Sequence, residues 1–215
     1  MEIKDKPALA LPVASKRKTR LFKVLAALMP FIILLLAELL LTLFQYGNDY
    51  TLFLESPDHP GFFQMNQKIG EKYFSQQANA TIGDHELFKI NKDSNDYRIF
   101  VLGASSAIGY PYLHNGSFHR WLKYRLMHTF PQKNFEIINL SLTAVNSNTL
   151  YDFSRQLVNY KPDAVLIYEG HNEYYGALGV ASTSNIGRNP LVVRLVIRLR
   201  EFRVIQLFTN IYIRV

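Results

Sequence analysis

Ser105 is the residue whose type and surroundings first suggest chemistry. It lies in residues 98–109, RIFVLGASSAIG, directly behind the apolar run Ile99, Phe100, Val101 and Leu102 and two positions after Gly103. Such a run reads as a short buried strand, and Gly103-Ala104-Ser105-Ser106-Ala107 reads as a tight turn of small residues at its C-terminal end. Open α/β sheets gather ligands at that edge, and a hydroxyl placed there is a candidate nucleophile. The plainer reading is a turn whose small residues only allow close packing. Two further apolar runs end in a comparable way. Residues 135–140 (FEIINL) lead into Ser141-Leu142-Thr143-Ala144, and residues 164–168 (AVLIY) lead into Glu169-Gly170-His171-Asn172-Glu173. A serine nucleophile needs an activating base, and the oxyanion formed by its attack needs N–H donors. The amides after Gly103 and near Ala144, with the Asn172 carboxamide, are suitable donors. His171 and Glu173 read as loop-ordering residues, and His171 is expected to make a structural hydrogen bond.

The elements that must position these residues follow from the hydrophobic pattern. A strand over 98–103 precedes a helix over 118–130, where Trp121, Leu122, Leu126 and Met127 recur at helical spacing and Pro131 stops the run. After the strand at 135–140, Asn148 or Thr149 could cap a helix reaching Tyr160, with Leu150, Phe153, Leu157 and Val158 as its apolar stripe. The strand at 164–168 comes next, then a loop-like stretch over 174–190 and a helix over 191–208. Three strand–loop–helix units at short spacing predict a parallel sheet with helices on both faces.

Composition narrows the classes. The chain has 215 residues, a net charge of +7 and no cysteine, which excludes disulfides, thiolate catalysis and cysteine-ligated metals. The positive charge is clustered. Lys16, Arg17, Lys18, Arg20 and Lys23 directly precede residues 24–44, VLAALMPFIILLLAELLLTLF, whose 21 residues match the hydrocarbon thickness of a bilayer at about 1.5 Å each. The lysine and arginine bias predicts a cytoplasmic N-terminus. A cleaved signal peptide is the competing reading, but the run is longer than a usual signal core and no small-x-small site closes it. Pro30 and Glu38 interrupt it, and Glu38 is a costly residue within lipid. Residues 1–20 read as a disordered basic tail. Residues 46–96 read as a connector packing on the domain, with one short helix around 64–74 and with Phe62, Phe63, Tyr73 and Phe74 as packing residues. Near the C-terminus Leu191, Leu195, Leu199 and Phe202 form one stripe, with Arg194 and Arg198 off it. That pattern fits a sheet-covering helix or an amphipathic helix touching anionic lipid. Nucleic acid is disfavoured as a partner, because a whole domain separates the basic stretches and no reading motif is present.

At this point a resemblance becomes specific. Leu102-Gly103-Ala104-Ser105-Ser106-Ala107-Ile108-Gly109 resembles the first block of the SGNH/GDSL hydrolase superfamily, Asn139-Leu140-Ser141-Leu142-Thr143-Ala144 the second, and Gly170-His171-Asn172-Glu173 the third. The wording SSAIGYPY, LTAVNSNTLYDF and PDAVLIYEGHNEYYGALG is similar to a membrane-anchored bacterial branch, some of whose members carry tetratricopeptide repeats. The resemblance covers roughly residues 97–180. It implies an α/β fold with a three-layer α/β/α, flavodoxin-like parallel sheet, incomplete over residues 97–215 and preceded by one transmembrane helix over 21–45. It assigns Ser105 as nucleophile and Ala144 and Asn172 as oxyanion donors. Ala144 stands where the family has glycine, and Glu173 where it has aspartate. Family members also carry a late Asp-x-x-His supplying the base. Here the last aspartate is Asp163 and the last histidine His171, so the base is expected beyond residue 215 and the chain is read as an N-terminal portion. The implied function is hydrolysis or transfer of an ester-linked acyl group at the periplasmic face of the bacterial inner membrane, without cofactor or metal. Its substrate would be a small molecule, a lipid or a glycan. The alternative is a catalytically inactive anchored domain that binds a partner protein, a repeat domain or a glycan.

Overall fold

The computed structural model describes residues 16–74, 80–179, 181, 182, 186 and 189–214, and the chain divides into two compact units, Met1–Tyr46 and Gly47–Val215. The first unit is helix α1, Lys16–Leu43, with Pro30 in its interior. Its segment Arg20–Leu43 is long and apolar enough to span a membrane, and none of it is buried. Lys16 to Arg20 continue this helix rather than forming an unstructured tail. Lysine and arginine are good helix formers, so the helix runs past the point where the apolar run stops. The rest of the expected tail, residues 1–15, lies outside the described residues.

The second unit is mixed α/β. Its centre is strand β4, Asp96–Gly103, flanked in parallel by β5, Asn134–Asn139, and β6, Ala164–Tyr168, in the order β5-β4-β6. Ile99 is in register with Ile137 and with Ala164, and Phe100 with Ile138 and Val165. The two faces of β4 feed separate apolar clusters. Ile99, Val101, Phe135 and Ile137 pack with Leu122 and Leu126 of α3, Phe118–Thr129. Phe100, Leu102, Ile138 and Leu140 pack with Leu150, Phe153 and Leu157 of α4, Ser147–Leu157, and with Val193 and Ile197 of α5, Pro190–Leu199. Cover on both faces is why β4 is almost continuously apolar instead of alternating.

The connector is more ordered than its sequence suggested. It forms an antiparallel sheet of β1, Phe53–Glu55, β2, Phe62–Met65, and β3, Leu87–Lys89. The helix expected around 64–74 shrinks to a 3-10 turn at Ile69–Lys72, and its first residues belong to β2. Strands of three or four residues are too short to display a period of two, so only packing reveals them. Their aromatics do pack: Phe53 lies 4.7 Å from Phe88 and 5.6 Å from Phe100 between ring centres.

Arg98 joins the two sheets. It is 1% exposed, and its guanidinium donates to Glu136 Oε2 (2.8 Å), Tyr160 O (2.7 Å) and Lys89 O (2.7 Å). Glu136 Oε1 in turn accepts from the Lys89 amide at 2.9 Å. Every polar atom of the pair therefore helps hold β3, β5 and the turn that follows α4 to β4.

Three local expectations are corrected. The α4 cap is Asn146, whose Oδ1 accepts from the Asn148 amide at 3.2 Å, and a 3-10 turn at Val158–Tyr160 follows the helix. The helix expected over 191–208 is two helices, α5 and α6, Arg203–Arg214. The stripe of Leu191, Leu195, Leu199 and Phe202 faces outward, while Val193 and Ile197 are buried. Both rows of α5 are apolar at helical spacing, so periodicity alone does not say which one meets the core.

Candidate functional site

The three parallel strands deliver their C-terminal ends to one place. A Cβ on Gly103 would lie 2.5 Å from Tyr168 O at the end of β6, 2.4 Å from Ala107 Cβ and 3.4 Å from Ser141 Oγ just after β5. Only glycine permits that approach. The chain then turns into α2, Ser105–Ile108, which sets Ser105 at the first helical position. Ser105 is partly exposed, and its hydroxyl has no hydrogen-bond partner among the described residues.

The second strand end makes a sharp turn at Ala144, whose φ of 58° lies in the left-handed region that favours glycine. An L-residue there costs about 1–2 kcal/mol, so the strain needs tight fastening. Three bonds supply it. The Leu142 amide donates to Gly103 O at 3.3 Å, Thr81 Oγ1 to Thr143 O at 3.0 Å, and the Ala177 amide to Ala144 O at 2.7 Å.

The last of these bonds also ties the Ala144 turn to the loop after β6, which carries Asn172. That loop closes on itself through Gly176 N to Asn172 O (2.7 Å), and Glu173 clamps it to α4 by accepting from Ser147 N (3.0 Å) and Ser147 Oγ (2.7 Å). Glu173 thus orders the loop, as its sequence position suggested. His171 does not make the expected hydrogen bond: its ring packs edge-on against Tyr168 at 5.6 Å, on the exposed side of the loop. The Asn172 Nδ2 is buried and unpartnered, as is the Ser141 Oγ. Both oxygens of Glu169 are sealed from solvent with no hydrogen bond. Burial is the leading cause that raises the Glu169 carboxyl above its ordinary range; the nearby Gly170 amide opposes the rise and Glu173 adds to it. Glu169 and Gly170 line a cleft of about 400 Å³ whose apolar wall includes Leu150, Tyr151 and Ile167.

Set against protein-family models, curated proteins and solved structures, the chain matches none of them. The site therefore rests on its own geometry.

Sequence reasoning missed a buried polar chain under the Ser105 turn. Glu86 Oε1 meets His119 Nε2 at 2.6 Å, and His119 Nδ1 meets Ser117 Oγ at 2.5 Å. The Ser117 hydroxyl donates to Ala107 O at 2.7 Å, and Asn139 Nδ2 donates to the same carbonyl at 3.0 Å. Serine, histidine and glutamate stand here in the order of a catalytic triad. Ser117 and His119 are nonetheless fully buried, and the serine proton is spent on a backbone carbonyl. The chain holds α2, and with it Ser105, against β5. Glu86 lies 33 residues from His119, and Asn139 lies 32 residues from Ala107, so no local motif announces the chain as a whole. Asp84, Glu86 and His119 bring donor atoms within 4.8 Å of one another, a spacing that fits a divalent cation. Both nitrogens of His119 are already engaged, so a cation would have to displace its contact with Glu86.

Proposed function

We propose that this protein is a membrane-anchored serine ester hydrolase or acyltransferase of the SGNH/GDSL type. Its parallel sheet would be the core of a three-layer α/β/α, flavodoxin-like domain held at the periplasmic face of a bacterial inner membrane by α1. Ser105 Oγ attacks the acyl carbonyl, the Ala144 amide and Asn172 Nδ2 take the oxyanion, and the C–O bond to the alcohol breaks to leave an acyl-serine. Water or a sugar hydroxyl then accepts the acyl group. Among the described residues none of the six histidines hydrogen-bonds to Ser105; the resemblance assigns the base to a late Asp-x-x-His, a motif that residues 1–215 do not contain.

The observation that carries this reading is Asn172 Nδ2. A buried donor without an acceptor costs about 1–3 kcal/mol, and this one sits in a loop tied directly to the strained Ala144 turn. Such a donor is what a developing oxyanion requires. The apolar cleft beside Glu169 is consistent with an acyl chain. The test is fluorophosphonate labelling of the full product of the gene, with and without Ser105→Ala. Labelling that vanishes in the variant supports the assignment, and equal labelling of both proteins refutes it. The competing reading, a catalytically silent domain binding a partner protein or a glycan, draws on the lack of a histidine against Ser105. It predicts no labelling of either protein.

A further inference from the structure

We propose that the outer face of α5 and α6 rests in the headgroup layer of an anionic phospholipid bilayer, with an arginine-lined cleft beside Asn48 receiving lipid phosphates. The inference rests on the membrane-anchored reading of α1.

Three observations converge on that face. The first is its exposed apolar row. Leu191, Leu195, Phe202, Phe208, Ile211 and Tyr212 are each more than half exposed, an arrangement that costs stability in water and gains it at a lipid interface. The second is charge. Residues 191–215 carry five arginines and one acidic residue, Glu201, which is bound to Lys72 at 2.5 Å. Arg155, Arg198 and Arg203 line an open cleft of about 400 Å³. Its carboxylates are already engaged: Asp152 with Lys72, Glu201 with the same ammonium, and Asp49 with the Thr51 amide and hydroxyl. Arg155 and Arg198 have no carboxylate partner among the described residues. An arginine fork without a carboxylate suits the oxygens of a phosphodiester.

The third is connectivity. The Asn48 amide donates to Gln206 Oε1 at 2.8 Å, and Gln206 Nε2 donates back to Asn48 O at 3.1 Å, so α6 is bolted to the first residues of the folded unit. Only four residues lie between Leu43, the end of the apolar span, and Asn48. The five Cα steps from Leu43 to Asn48 reach at most about 18 Å, however the chain runs. A helix tied through Asn48 to the chain that leaves the apolar span, with apolar side chains exposed, suits an anionic bilayer as its complementary surface.

Because the chain lacks cysteine, single spin labels are unambiguous. The full chain is reconstituted in nanodiscs of phosphatidylcholine alone or mixed with phosphatidylglycerol, and label access to oxygen and to a water-soluble nickel complex is compared for Leu195→Cys, Trp121→Cys and Phe31→Cys. Trp121 is 70% exposed on α3, which packs on the opposite face of β4 from α5. In the anionic discs the Leu195 label should be severalfold less accessible to nickel than the Trp121 label. That protection should fall in pure phosphatidylcholine and in the Arg155→Gln/Arg198→Gln background. Equal nickel access at the two positions in the anionic discs, or a Leu195 protection just as strong in pure phosphatidylcholine, overturns the proposal. Protection unchanged by the two glutamines overturns the phosphate cleft. The Phe31 label separates the failures: lipid-buried Phe31 with aqueous Leu195 defeats this inference alone, whereas aqueous Phe31 defeats the anchor as well.

Discussion

The two ends of the parallel sheet are built on opposite principles. At the N-terminal end the buried charges are saturated. Arg98 has three hydrogen-bond acceptors, Glu136 joins it and Lys89, and Asp96 accepts from Asn134 Nδ2 and the Asp93 amide. Asp163 binds the Arg98 amide at 2.6 Å and pairs with Lys92. At the C-terminal end Ser141 Oγ, Asn172 Nδ2, both oxygens of Glu169, Asn146 Nδ2 and Thr149 Oγ1 are buried without matching partners. Unmatched buried polar atoms cost stability, so this end contributes less to holding the fold than the saturated one. The contrast sets a saturated end of the sheet against one with unmatched buried polar atoms, the end at which the proposed site lies.

The largest effect that would break this contrast is on catalysis. Ser105→Ala should abolish serine-dependent acyl turnover by the full gene product, a loss of about 10⁴-fold or more, while the melting temperature stays put. Asn172→Ala should lower kcat by about 10²–10³-fold and leave stability unchanged or improved, since it deletes an unpaired buried donor. A variant that loses stability instead would move Asn172 to the structural side of the comparison. Arg98→Met should do the reverse. It strands Glu136 in the core and should cost about 3–5 kcal/mol in chemical denaturation.

The two ends should also differ in the sign of their pH dependence. The Asp96 and Asp163 carboxyls are lowered despite burial, which alone would raise them, because Asn134 and the Asp93 amide outweigh it at Asp96, and Lys92 and the Arg98 amide at Asp163. Their stabilisation is present above the ordinary aspartate range, about 3.9, and is lost as pH falls through the folded values. Glu169 is raised, so folding is favoured while it is protonated and that advantage fades as pH rises from about 4.3 through its folded value. Glu169→Gln should therefore raise stability at neutral pH relative to the parent and flatten that part of the thermal-melt profile. The smallest effect is at the strained turn, where Ala144→Gly should stabilise by about 1 kcal/mol or less by relieving the positive φ.

The sequence by itself determined the elements with long, strong patterns. The apolar span, the three parallel strands, α3 and the small-residue turns after each strand were all legible, because burial on both faces writes continuous apolar runs and tight turns demand glycine and other small residues. The Gly103 turn and the Asn172 loop were therefore found at nearly their observed places. Tertiary structure alone decided the rest. The β1–β3 sheet is made of strands too short to show a period, and α5 has two apolar rows of which packing chose Val193 and Ile197. Arg98 reads as a surface cation until Glu136, Tyr160 and Lys89 close around it from 38, 62 and 9 residues away. The chain from Glu86 through His119 and Ser117 to Ala107 has the same character. A side chain's partners across such separations are set by where the fold brings them, and no window of neighbouring residues contains that information.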